Sequence, residues 1–142
     1  MYEYNATIKR VVDGDTVDVD IDLGFDVVLT NQRIRLYGMD TPESRTRDRV
    51  EKVFGKMAKE FLEEKLGETC TLRSKVDKRG KFGRILGEFV VYDHNEDREM
   101  TVNEIMIRDN LAVPYHGQSK KEIEEAHLKN REILIERFNM PL

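Results

Sequence analysis

The stretch TVDVDIDL, residues 16–23, alternates without a break, with Val17, Val19, Ile21 and Leu23 on one side and Asp18, Asp20 and Asp22 on the other. A β-strand turns successive side chains to opposite faces, so this pattern specifies a strand with one face in a core and the other in water. A lone strand has no stability in water, so the chain must supply partners. NATIKRVV (5–12) and RIRLY (33–37) read as strands on either side, the latter with Ile34 and Leu36 inward and Arg33, Arg35 and Tyr37 outward. Between the second and third strands, GFDVVLTNQ (24–32) reads as a long hairpin tip.

From about Asp48 the apolar period changes from two to that of a helix. Val50, Phe54, Met57, Phe61 and Leu62 recur at helical spacing up to a stop at Gly67, with Asp48 and Glu51 spaced as a capping box. Gly55 weakens the first turn of that helix. TCTLRSKV (69–76) and RILGEFVVY (84–92) are two further strands joined by the glycine-bearing DKRGKFG. Capping boxes at Thr101/Glu104 and Ser119/Glu122 start two more helices, the last running to about Ile133. Five strands with a helix inserted after the third predict an α+β fold, a five-stranded OB-fold barrel with about three α-helices. The 142 residues contain no repeat or linker, so a single domain over 1–142 is expected.

Charge is segregated along this frame. The chain carries a net −4, yet residues 69–84 hold Arg73, Lys75, Lys78, Arg79, Lys81 and Arg84 against Asp77 alone. Such segregation suits one face that meets an anion while the rest stays soluble. No apolar run is long enough to span a bilayer, Cys70 has no partner for a disulfide, and the first residues lack a leader's apolar core; a cytoplasmic location is the expectation. No obligate protein partner is evident.

Two acidic turns, DGDT (13–16) and MDTPE (39–43), bracket the second and third strands. If those strands pair, Asp15 opens one and Asp40 closes the other, at the same end of the barrel. Two carboxylates with backbone carbonyls form an oxygen site for a hard cation such as calcium. An arginine beside it, Arg35, is suited to bidentate capture of phosphate. An EF-hand reading of Asp18, Asp20 and Asp22 fails, because Leu23 and Leu29 stand where the loop needs glycine and glutamate. His94, His116 and His127 share no metal-ligand spacing and are assigned no role.

VVDGDTV, RIRLYGMDTPE and KFGR occur in this order, with VEKVFGKMAKEF between the second and third. The ordered set resembles the staphylococcal nuclease family over roughly residues 7–117, and the resemblance implies continuation through the last helix. The resemblance implies that Asp15, Asp40 and the backbone carbonyl of Thr41 ligate calcium. It implies that Arg35 and Arg84 grip the scissile phosphate and that Glu43 orients or deprotonates the attacking water. Lys81, Phe82 and Tyr115 match positions that contact the nucleotide. The implied activity is calcium-dependent endonucleolytic cleavage of DNA and RNA, with little sequence specificity and 3′-phosphate ends. Phe82 replaces a tyrosine of the family's best-known member, and the stretch from Asp15 to Arg35 is longer than in that member. The rival reading is a non-catalytic OB-type module that binds nucleic acid or protein. Such a module can dispense with Asp15, Asp40 and Glu43, all of which are present.

Overall fold

The structure, a computed structural model, describes residues 2–79 and 85–142, the side chains of 76–79 excepted. Strands β1 (Glu3–Asp13), β2 (Thr16–Gly24) and β3 (Val27–Leu36) form an antiparallel meander. β5 (Thr69–Arg79) pairs with β1, and β6 (Ile85–Asp93) pairs with β5. The sheet closes where Ile34, Arg35 and Leu36 of β3 run parallel to Ile85, Leu86 and Gly87 of β6. The result is the expected five-stranded OB-type barrel, and closure removes most of the open edge that a five-stranded sheet would expose.

The alternation of 16–23 does what it specifies. Val17, Val19 and Ile21 are buried, joined in the core by Ile34, Leu36, Leu72 and Phe89. Two of the aspartates on the other face make cross-strand contacts. Asp18 takes a forked pair of hydrogen bonds from Arg33 at 2.8 and 3.0 Å, and Asp20 accepts the Asn31 amide at 2.9 Å.

Residues 24–32 are not a loose tip. β2 and β3 continue to a two-residue turn at Phe25 and Asp26, whose φ angles of 55° and 64° are both left-handed. That geometry twists with the strands it joins, but here neither position carries glycine, which is why the turn is hard to read from the chain. Phe25 is fully exposed, and Leu23 also lies beyond the core.

Helix α1 (Arg49–Leu66) lays Phe54, Ala58, Leu62 and Leu66 on the core. Asp48 caps it by accepting the amides of Val50 and Glu51, but Glu51 does not return the bond, and its carboxylate instead takes the Glu43 amide at 3.1 Å. Gly55 does not interrupt the helix. The short strand β7 (Arg98–Thr101) pairs with β6 and leads into α2 (Val102–Arg108). The Thr101 hydroxyl caps this helix by accepting the Glu104 amide and donates to the Glu104 carboxylate, so the return bond of the expected capping box goes to the hydroxyl rather than to the Thr101 amide. Two-residue strands β4 (Met39–Asp40) and β8 (Val113–Pro114) pair with each other, and α3 (Lys120–Phe138) completes the fold. α3 runs a turn beyond the expected end and buries Leu134 alone; polar tethers such as Asn130 Nδ2 to the Ala112 carbonyl, at 3.2 Å, help to seat it. Cys70 packs inside, its thiol pushed up to about 11 by burial. Among the described residues, no helix is long and apolar enough to cross a membrane.

Candidate active site

Asp15 lies in the two-residue turn between β1 and β2. The antiparallel register sets Thr16 opposite Arg35, and the Asp15 carbonyl accepts the Leu36 amide at 2.9 Å. β3 then ends, and Gly38, with φ at 77°, reverses the chain so that β4 folds back along the end of the strand. An extended chain would hold Arg35 and Asp40 some 16 Å apart, roughly five residues at 3.3 Å each. With the turn in place their side chains meet, 3.4 Å between Arg35 Nη2 and Asp40 Oδ1. Arg35 Nη1 sits 3.3 Å from Asp15 Oδ2, so one largely buried guanidinium spans both carboxylates.

The turn is held from behind. Asn103, buried on α2, donates to the carbonyls of Tyr37 and Gly87 at 2.9 and 3.3 Å, and the Tyr37 amide also donates to Gly87. Two glycines allow the close packing. A methyl at Gly14 would meet Ala58 Cβ at 2.8 Å and Thr41 Oγ1 at 2.9 Å. A methyl at Gly55 would collide with the Glu43 carbonyl and lie 2.6 Å from the Ser44 amide nitrogen. α1 thus serves as the bed on which the 41–44 turn lies.

Thr41 is buried; its amide donates to Asp15 Oδ2 at 3.3 Å, and its hydroxyl has no partner among the described residues. Glu43 keeps solvent access at the rim, beside Asp13, a carboxylate that sequence reading passed over. Its pKa is raised, first by partial burial and then by the repulsion of Asp13, Asp15 and Asp40. Asp15 is raised as well, because burial outweighs the attraction of Arg35. A cavity of about 550 Å³ opens between Asp13, Asp15, Arg35, Asp40, Glu43 and Arg45. A groove of about 1040 Å³ shares Arg35 and Asp40 with it and extends past Pro42 to Tyr115 and α3. Tyr115 is 45% exposed, so its ring is free to meet a ligand rather than packed in the core.

This is a surplus of carboxylate around one buried cation, with a buried hydroxyl oxygen left unpaired. Oxygen donors of that kind fit a hard divalent ion. Among the described residues, no three carboxylate, imidazole or thiol side chains form a ready cage. Asp15 and Asp40 would therefore need backbone and water oxygens to complete a shell.

The sequence profile of the staphylococcal nuclease homologues matches residues 33–134. The chain belongs to this family. The matched span takes in Arg35, Asp40, Thr41, Glu43 and Tyr115, while Asp15 lies ahead of it. Within the family, the chain is similar to the thermonuclease of Staphylococcus intermedius, 36% identical over 80 residues that make up 56% of this chain and 44% of that protein. It is also similar to the endonuclease YhcR of Bacillus subtilis strain 168, 28% identical over 120 residues, 80% of this chain and 9% of that protein. The matched stretches thus cover less than half of either relative.

Of the positions singled out in the sequence, the structure gathers Asp15, Arg35, Asp40, Thr41 and Glu43 at one end of the barrel, with Tyr115 along the groove. Lys81, Phe82 and Arg84 lie outside the described residues. Of the basic stretch they belong to, Arg73 and Lys75 are paired with Glu3 and Glu88. His127, to which sequence spacing assigned nothing, sits with its Nε2 on Asp40 Oδ2 at 2.8 Å. Eighty-seven residues separate the two, and no local pattern announces the contact.

Proposed function

We propose that this chain is a calcium-dependent phosphodiesterase that cleaves DNA and RNA internally, with little sequence specificity, leaving 3′-phosphate ends. The observation that carries the reading is the meeting of Arg35 with Asp15, Asp40 and the Glu43 rim in one cavity. The family, and the chain's similarity to a thermonuclease and an endonuclease, support it.

Calcium, held by Asp15, Asp40 and the Thr41 carbonyl, would supply the positive charge that polarises a phosphoryl oxygen. Glu43 is the proton acceptor. Its solvent access at the rim of the cavity lets it reach a water. That water's oxygen forms the new bond to phosphorus, its proton passes to Glu43, and the bond to the 5′-oxygen breaks. The leaving oxygen takes a proton from solvent water to become the 5′-hydroxyl, and Glu43 returns its proton to solvent. Arg35 presents a planar fork to the equatorial oxygens, where one such donor contributes on the order of 10²-fold at the transition state. Phosphate takes the place of the carboxylates as its partner. Arg84 is assigned the second fork. Lys81, Phe82 and Tyr115 hold the flanking nucleotide, the two aromatic rings by stacking, which tolerates any base.

The test is cleavage of unstructured single-stranded DNA by purified protein with calcium, with magnesium and with chelator, beside Glu43→Ser. Calcium-dependent cutting that is lost with chelator and with the variant supports the reading. Salt-sensitive binding without cutting in any condition overturns it in favour of the binding module.

A further inference from the structure

Asp40 is not oriented by Arg35 alone. Its two oxygens are divided, Oδ1 facing Arg35 and Oδ2 facing His127 Nε2 at 2.8 Å. An ionised carboxylate can only accept, so the imidazole donates. The ring is largely buried, its side chain 13% exposed, and among the described residues its buried Nδ1 has no partner. Among those residues, the contact with Asp40 is therefore the one hydrogen bond this ring makes. The helix that carries it is tethered through neighbouring polar groups. Asn130 bonds to Asn110 and Ala112, and Arg137 bonds to the Asp109 carbonyl and to Asn110. The backbone of Asp40 is in turn paired with Val113, which follows directly on that anchor. Backbone and side chain of Asp40 are thus both held by the C-terminal third of the chain.

We propose that His127 is a positioning residue for Asp40: it fixes the carboxylate's rotation so that Oδ1 stays directed into the cavity as a cation ligand, and so makes seating of α3 a condition for calcium binding. The proposal rests on the metal assignment made above. A carboxylate with a free χ2 would lose rotational freedom each time a cation bound, whereas one already held does not. Partners that orient a ligand in this way typically contribute about 10- to 100-fold in metal affinity.

The experiment measures calcium binding to the full chain by titration calorimetry, for the parent and for His127→Leu, His127→Asn and His127→Gln, with thermal melting of each. The Gln amide nitrogen reaches about as far as Nε2, and the Asn amide does not. Leu and Asn are expected to weaken calcium binding about tenfold or more, and Gln to stay within about threefold, a pattern that loss of packing alone would not produce. In cleavage assays the calcium needed for half-maximal rate should rise with the same pattern, while the rate at saturating calcium changes little. If Leu does not fold, Asn against Gln carries the same comparison. Calcium affinity within about twofold of the parent in Leu or Asn overturns the proposal. A parent that takes up no calcium overturns both this and the metal assignment. Weakened calcium binding in the variants of a chain that cleaves nothing supports the positioning role and overturns the nuclease reading alone.

Discussion

Arg35 and Asp40 touch across a turn, 3.4 Å apart, and Asp15 holds the other limb of the same guanidinium at 3.3 Å. Arg35 is therefore a structural counter-charge for two carboxylates as well as the group assigned to phosphate. Its removal leaves both acids uncompensated, one of them, Asp15, already raised by burial.

Arg35→Ala should lower turnover at least about 10²-fold, since it removes the fork at the transition state. It should also lower the melting temperature in chelator, and added calcium should narrow that deficit by replacing the lost charge. Melting curves with and without calcium check this. A deficit that calcium leaves unchanged would remove the compensating role.

Gly55→Ala would ordinarily stabilise a helix interior by up to about 1 kcal/mol. Here the methyl meets the backbone of Glu43 and Ser44. The expected outcome is a lower melting temperature and, where the variant folds, turnover reduced tenfold or more as Glu43 shifts (about 1 Å of misplacement can cost 10²-fold). A more stable variant with parental turnover would mean that the turn does not lie on α1.

The barrel's far rim makes a pH prediction. Hydrogen bonds from Arg108, at 2.6 and 3.2 Å, hold the Asp93 carboxyl down at about 2. Because the folded pKa lies below the unfolded value near 3.9, this contribution to stability is fully present at neutral pH and is lost as pH falls from about 4 through 2. Asp93→Asn should melt several degrees below the parent at pH 7, and the gap should close towards pH 2. A gap of constant size over that range would refute the linkage.

Much of the barrel was legible from side-chain period, because β2 has one wet face and must show it. The meeting of Asp15, Arg35, Asp40, Thr41 and Glu43 was legible too, since they fall in two short motifs next to strand ends. The Phe25–Asp26 turn was not, because its left-handed residues carry side chains where a reader looks for glycine. Gly55 reads as a helix weakness in one dimension and as clearance for Glu43 in three.

What the chain determined by itself is local: alternation, helix caps, turn chemistry and the types of donor at the strand ends. These follow from interactions between residues a few positions apart. The contacts made by Asn103 and His127 span 66 and 87 residues, and only closure of the barrel and seating of α3 bring those partners within hydrogen-bond reach. Tertiary packing therefore decided how the carboxylates are held, and the reason is physical: orientation of a buried charge depends on neighbours whose distance in sequence carries no information about their distance in space.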